Sequence, residues 1–211
     1  MVFAPPGDTI RSVSGEWSVP NTFAEGVQGT PSHTSQWIGI DGDGSPNVVQ
    51  AGSATDAKAG LGGSTHLWYE WTPQPSVKIT NIGANPGDVI YGLICAPAPT
   101  TATISLVNMT NGTMTTFSVH PPATGTALVG NSAEWVVEAP LINNVQSVPG
   151  HFGVVFFDNA FAGTAANASL DGGQADDLIS MVQNGVTLSV PRELGSGALK
   201  CTHQPSASPA S

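Results

Sequence analysis

Short apolar, β-branched segments recur along this chain, each closed by Gly, Pro, Asn or Asp, and this punctuation limits the folds open to it. Strands are expected over 12–19, 35–41, 47–51, 66–71, 88–95, 102–108, 113–119, 133–138, 151–157, 179–183 and 186–190. Two hairpins carry explicit turn chemistry. Asn111-Gly112 lies between the strands at 102–108 and 113–119, and Asn184-Gly185 between those at 179–183 and 186–190. Asn-Gly suits the type I′ turn, which needs positive φ at both central residues. Only 176–183 competes as a helix, and the Asn-Gly that follows favours a strand there. The expected fold is all-β: an antiparallel two-sheet β-sandwich, lectin-like, with almost no helix. Residues 1–201 are expected to form a single domain, with 202–211 a disordered tail lacking core-forming residues.

The chain of 211 residues can bury a substantial core as one unit. Only 9% of its residues are Asp, Glu, Lys or Arg, against a usual figure of about 25%. The five basic residues are scattered and the net charge is −10, so neither nucleic acid nor an anionic membrane is an expected partner. In acid the carboxylates neutralise and few positive charges remain, which limits self-repulsion. A neutral-pH extracellular protein would fit the same composition.

No apolar run reaches membrane-spanning length, and the opening Met1–Pro6 is not a signal peptide. Cys95 and Cys201 fit no metal or redox spacing and could bridge or stay as thiols. Sequons at Asn108, Asn111 and Asn167 are compatible with secretion.

Alternation along a strand sorts side chains by face. His66, Trp68 and Glu70 share one face, opposite Leu67, Tyr69 and Trp71. Glu134, Val136 and Glu138 share a face, as do Trp37, Gly39 and Asp41, and Val48 and Gln50. Acids and an amide in mid-sheet beside tryptophans suggest a groove for a polymer. A solvated face that happens to be acidic is the competing reading, at about even odds without further information.

Three segments shift that balance. Gln36-Trp37-Ile38-Gly39-Ile40-Asp41-Gly42, Trp68-Tyr69-Glu70-Trp71 and Ala133-Glu134-Trp135-Val136-Val137-Glu138 resemble, in order and approximate spacing, three segments of the glutamic peptidases, or eqolisins. The resemblance spans about 12 to 190. It implies an acid-acting endopeptidase with Gln50, of the run Val48-Val49-Gln50, and Glu138 as the catalytic pair. Trp37, Asp41, Trp68 and Glu70 are then expected to bind substrate or support the pair. Family chains usually open with an Asn-Trp strand, which this sequence lacks, and His66 stands where some relatives carry an acid. Gln50 and Glu138 are expected on adjacent strands of one concave sheet, within reach of a shared water.

Secretion, a monomeric state, a polypeptide substrate and insensitivity to pepstatin are expected with this reading. No cofactor or metal is expected: the five histidines show no paired zinc spacing, and Asp41-Gly42-Asp43-Gly44 lacks the rest of a calcium loop. There is no Gly-x-Ser-x-Gly elbow and no Asp-Thr-Gly or Asp-Ser-Gly. The alternative is a glycoside hydrolase using Glu70 and Glu138, or a non-catalytic carbohydrate-binding module.

Overall fold

The computed structural model describes residues 1–24, 31–58, 63–122, 126–143 and 145–204. Its strands are β1 (Val2–Phe3), β2 (Ile10–Ser18), β3 (Pro31–Asp41), β4 (Val48–Lys58), β5 (Gly63–Trp71), β6 (Val77–Ile79), β7 (Val89–Ala98), β8 (Thr101–Asn108) and β9 (Thr113–Val119). They continue as β10 (Ser132–Glu138), β11 (Leu141–Ile142), β12 (Val145–Gln146), β13 (Val154–Thr164), β14 (Ser169–Asp171), β15 (Met181–Gln183), β16 (Val186–Gly195) and β17 (Ala198–His203). Among the described residues the only helical element is a short 3₁₀ turn, Gly172–Gln174.

Two antiparallel sheets pack as a β-sandwich. One has six strands in the order β1-β10-β3-β4-β5-β6. The other has nine, running β15-β16-β17-β13-β2-β7-β8-β9 with β14 beside β13. Between them lies one apolar cluster, fed by alternate residues of both sheets: Ile38, Val49, Ala51, Leu67 and Trp135 from the first, and Val13, Trp17, Ile90, Ile104 and Phe157 from the second. Gly15 and Gly92 pair across β2 and β7 and leave a hollow. A Cβ at Gly15 would stand 2.9 Å from the Trp135 indole nitrogen, and one at Gly92 would stand 2.9 Å from Ile38 Cδ1. The missing side chains let the two sheets approach at this point.

A polar relay crosses the core. Trp17 Nε1 donates to Ser53 Oγ at 2.9 Å, and Ser53 Oγ donates to Gln36 Oε1 at 3.0 Å. Buried polar groups cost free energy unless paired, so this chain of bonds favours one register of β3 and β4 against β2.

Several strands run beyond their expected limits. β4 continues to Lys58 because Gly52-Ser53-Ala54-Thr55-Asp56, small and polar, still pairs on both sides with β3 and β5. β13 runs to Thr164, and β17 extends through His203, past the expected start of the tail. Residues 205–211, where most of that tail falls, lie outside the described residues.

The Asn184-Gly185 turn has positive φ at both positions, 52° and 77°, as type I′ requires. The Asn111-Gly112 turn differs, since only Gly112 is left-handed, at φ 73°. Buried Asn108 Oδ1 accepts the amides of Thr110 and Asn111, which holds a four-residue loop instead. Asn108 Nδ2 is also engaged, with Gly83 O and Asp88, so that sequon is internal. Cys95 and Cys201 are both free thiols.

Ser53→Ala should strand the Trp17 and Gln36 partners and cost about 1–3 kcal/mol, read from the midpoint of urea unfolding.

Candidate active site

The outer face of the six-stranded sheet carries the side chains left over from the core. Pairing sets them in transverse rows. Glu134, Gly39, Gln50 and Glu70 form one row, from β10 through β3 and β4 to β5. Val136, Trp37, Gly52 and Trp68 form the next. Glu138, Ser35, Ala54 and His66 form the third.

Gln50 and Glu138 therefore share a sheet and a face, but β3 lies between their strands. They stand opposite Gly39 and Ser35 of that strand. The expectation of adjacent strands is corrected here. The order β10-β3-β4 places β3 between the two side chains, with Gly39 and Ser35 opposite them and Trp37 in the row between. Any Cβ on Gly52 would lie 2.1 Å from Gln36 O, so the floor at this point admits no side chain.

Both residues line one cleft of about 300 Å3, together with Trp68, Glu70, His66 and Leu141. Trp68 is fixed there by a bond from its Nε1 to Ser35 Oγ at 3.1 Å, and Ser35 Oγ donates in turn to Ser53 O. Leu141 and Ile142 belong to the short β11–β12 pair that follows Glu138, and both are exposed.

The carboxyls are pushed toward their neutral forms. Burial raises the Glu138 pKa above the ordinary carboxyl value, and the charge of Glu70 raises it further. Opposing them, the Trp37 indole N–H faces Glu138 and favours its charged form without closing a full hydrogen bond. Burial likewise raises Glu70, against the amide of Gln50. Gln50 is 8% exposed, and its buried Oε1 has no partner among the described residues.

Of the six residues picked from sequence, the structure brings Gln50, Glu138, Trp68 and Glu70 into this cleft. Trp37 lines the adjoining hollow beside Glu138. Asp41 is elsewhere. Its carboxylate is fully buried and accepts the amides of Val129, Gly130 and Asn131 at 2.6–3.0 Å. Burial pushes its pKa up against those three donors. At φ 69° it ends β3 and ties the segment that leads into β10.

Ser35 was missed, although it shares the parity of Trp37. His33 and Asp56 were missed because β3 and β4 were expected to be shorter. No group of three or more His, Cys, Asp or Glu arranged to hold a metal occurs among the described residues.

Solved glutamic peptidases share this β-sandwich. Scytalido-glutamic peptidase, solved with a transition state analog inhibitor, superposes with a TM-score of 0.81, covering 94% of each chain at 22% identity. Aspergilloglutamic peptidase from Aspergillus niger gives 0.75 at 25% identity, covering 82% of this chain and 99% of that one. Aspergillopepsin-2 of Aspergillus niger is 27% identical over 201 residues, which is 87% of this chain and 70% of that protein. The chain matches the Peptidase A4 family over residues 1–203 and belongs to it. It is a glutamic-type peptidase, and membership decides against the carbohydrate readings.

Glu134 offers a stability test. It is 6% exposed, it accepts from Asp43 N at 3.2 Å and Ser132 Oγ at 3.3 Å, and burial raises its pKa to about 7. The folded chain keeps this proton up to about pH 7, while the unfolded chain releases it near 4.5. The contribution is therefore fully present below about pH 4.5 and lost as pH rises through about 7, with a size on the order of 3 kcal/mol. Glu134→Gln should flatten the fall in Tm between those pH values, measured by calorimetry.

Proposed function

We propose that this peptidase is an acid-acting endopeptidase in which Glu138 is general base and then general acid, and Gln50 stabilises the oxyanion. The observation that carries the reading is the shared cleft: a half-buried carboxyl and a buried amide open on the same space, walled by Trp68.

The chemistry needs two services. As the carboxylate, Glu138 takes a proton from water while the water oxygen bonds to the peptide carbonyl carbon. The carbonyl π pair moves onto oxygen, where the Gln50 N–H donates to it. Glu138 then gives its proton to the amide nitrogen as the C–N bond breaks, leaving a carboxylic acid and an amine. An amide does not titrate in this range, so Gln50 serves at any acidity.

Glu70 supports the pair in two ways. Burial favours its neutral form, and its carboxyl accepts an N–H of the Gln50 amide. That contact fixes the Gln50 amide and leaves its second N–H for the substrate. The Trp37 indole N–H faces the Glu138 carboxyl and favours its charged form, the one that acts as base.

A water nucleophile and an amide donor involve neither a metal nor a paired-aspartate site, so pepstatin and EDTA should both leave the activity intact. Secretion and a monomeric state complete the proposal. The low charge content suits an acidic extracellular setting.

Glu138→Gln keeps the shape and removes the base, so acid proteolysis of an unfolded protein should fall by at least about 10²–10⁴-fold. Gln50→Ala should lower kcat by about 10²–10³-fold with the circular dichroism spectrum retained. Full proteolysis by Glu138→Gln would refute the assignment. Glu70→Gln removes a charge that raises Glu138, so the acid limb of the kcat/KM profile should move to lower pH.

A further inference from the structure

One end of the cleft is built from side chains that the hydrolytic step leaves unused. His33 Nδ1 lies 2.6 Å from Asp56 Oδ1, and His66 Nδ1 lies 3.9 Å from Asp56 Oδ2. Asp56 and His66 line the cleft that also holds Gln50 and Glu138. His66 lies at the far end of the Glu138 row, with only Ser35 and Ala54 between them. Three strand spacings separate the two backbones, about 14 Å, which is the reach of a few residues of extended peptide. His66 Nε2 makes no hydrogen bond among the described residues.

The charges at this end favour an anion in acid. Asp56 approaches His66 from β4, His33 stands behind Asp56 on β3, and Lys78 reaches the ring from β6. Glu70, further along β5, and Glu138, across the cleft, are pushed toward neutrality by burial. With the His66 ring cationic, it and Lys78 outweigh the single Asp56 carboxylate. With the ring neutral, Lys78 and Asp56 cancel. Burial and Lys78 lower the His66 pKa against the pull of Asp56, so the cationic state belongs to acid pH.

We propose that His66, positioned by the Asp56–His33 pair and flanked by Lys78, forms a subsite for an anionic side chain of the substrate. The enzyme then favours peptides carrying Asp or Glu a few residues from the scissile bond. This inference rests on the peptidase reading and names a substrate class for it. His66 contacts the substrate carboxylate, whereas His33 fixes Asp56 and through it the His66 ring.

The test uses the full chain and peptide pairs that differ by Glu or Gln at each of about four positions on either side of the scissile bond. At pH 5 a substrate Glu is mostly ionised. At one position kcat/KM should favour Glu over Gln by about 5-fold, the size expected for a half-buried charge pair. His66→Gln should bring that ratio to about 1, and His33→Gln should reduce it. A flat ratio at every position, or a preference that survives His66→Gln, overturns the subsite. Cleavage of the Gln peptides reports the peptidase reading separately. If none is cleaved, calorimetric titration of the same peptides into the Glu138→Gln chain decides the subsite alone. Tighter binding of a Glu peptide at pH 5 but not at pH 7.5, lost when His66→Gln is added, supports it, and equal Kd values refute it.

Discussion

The pleat of the six-stranded sheet is the constraint on which the rest depends. Alternate residues of β10, β3, β4 and β5 must face the second sheet, because Ile38, Val49, Ala51, Leu67 and Trp135 have nowhere else to bury. The remaining set, Glu138, Trp37, Gln50, Trp68 and Glu70, is then assigned to the opposite face without further choice. A slip of one residue in β4 would turn Gln50 into the core and Ala51 onto the outer face. The Trp17–Ser53–Gln36 relay opposes that slip, since it would carry Ser53 away and leave the Trp17 and Gln36 groups unpaired in the core. Core packing and site geometry are thus set by one register.

Burial then sets the electrostatics. Glu70, Glu134 and Glu138 all sit where water is scarce, and each is pushed toward its protonated form. Such groups make folding tighter in acid and oppose it as the pH rises, the reverse of the usual salt-bridged carboxylate. A chain with 9% charged residues also gathers little positive charge when its acids neutralise. Fold stability and a carboxyl tuned upward therefore favour the same conditions.

Much of this was legible in the sequence, and the exceptions share a cause. Period two sorted Trp68 and Glu70 from Leu67 and Trp71, and two Asn-Gly pairs marked hairpins. Gln50 and Glu138 needed the family resemblance, because nothing local distinguishes one Gln or Glu on a strand from another. The position of β3 between them was not legible, since strand order is not a local property. Asp41 shares the parity of Trp37, yet its partners are amides 88 to 90 residues away, and their pull takes it out of the cleft. The Asn111-Gly112 turn follows the side chain of Asn108 rather than its own dipeptide. His33 and Asp56 lay hidden because Gly52–Asp56 is small and polar, and only pairing on both sides holds it as a strand.

The central claim is that Gln50 and Glu138, reaching over β3 from opposite sides, act on one carbonyl. A crystal structure with a peptide whose scissile carbonyl is replaced by a tetrahedral hydroxyl-bearing centre tests it most directly. The account predicts the Gln50 amide nitrogen and the Glu138 carboxyl each within about 3 Å of oxygens on that same centre. An analogue bound with its tetrahedral centre against only one of the two side chains, or outside the cleft lined by Trp68, would contradict it.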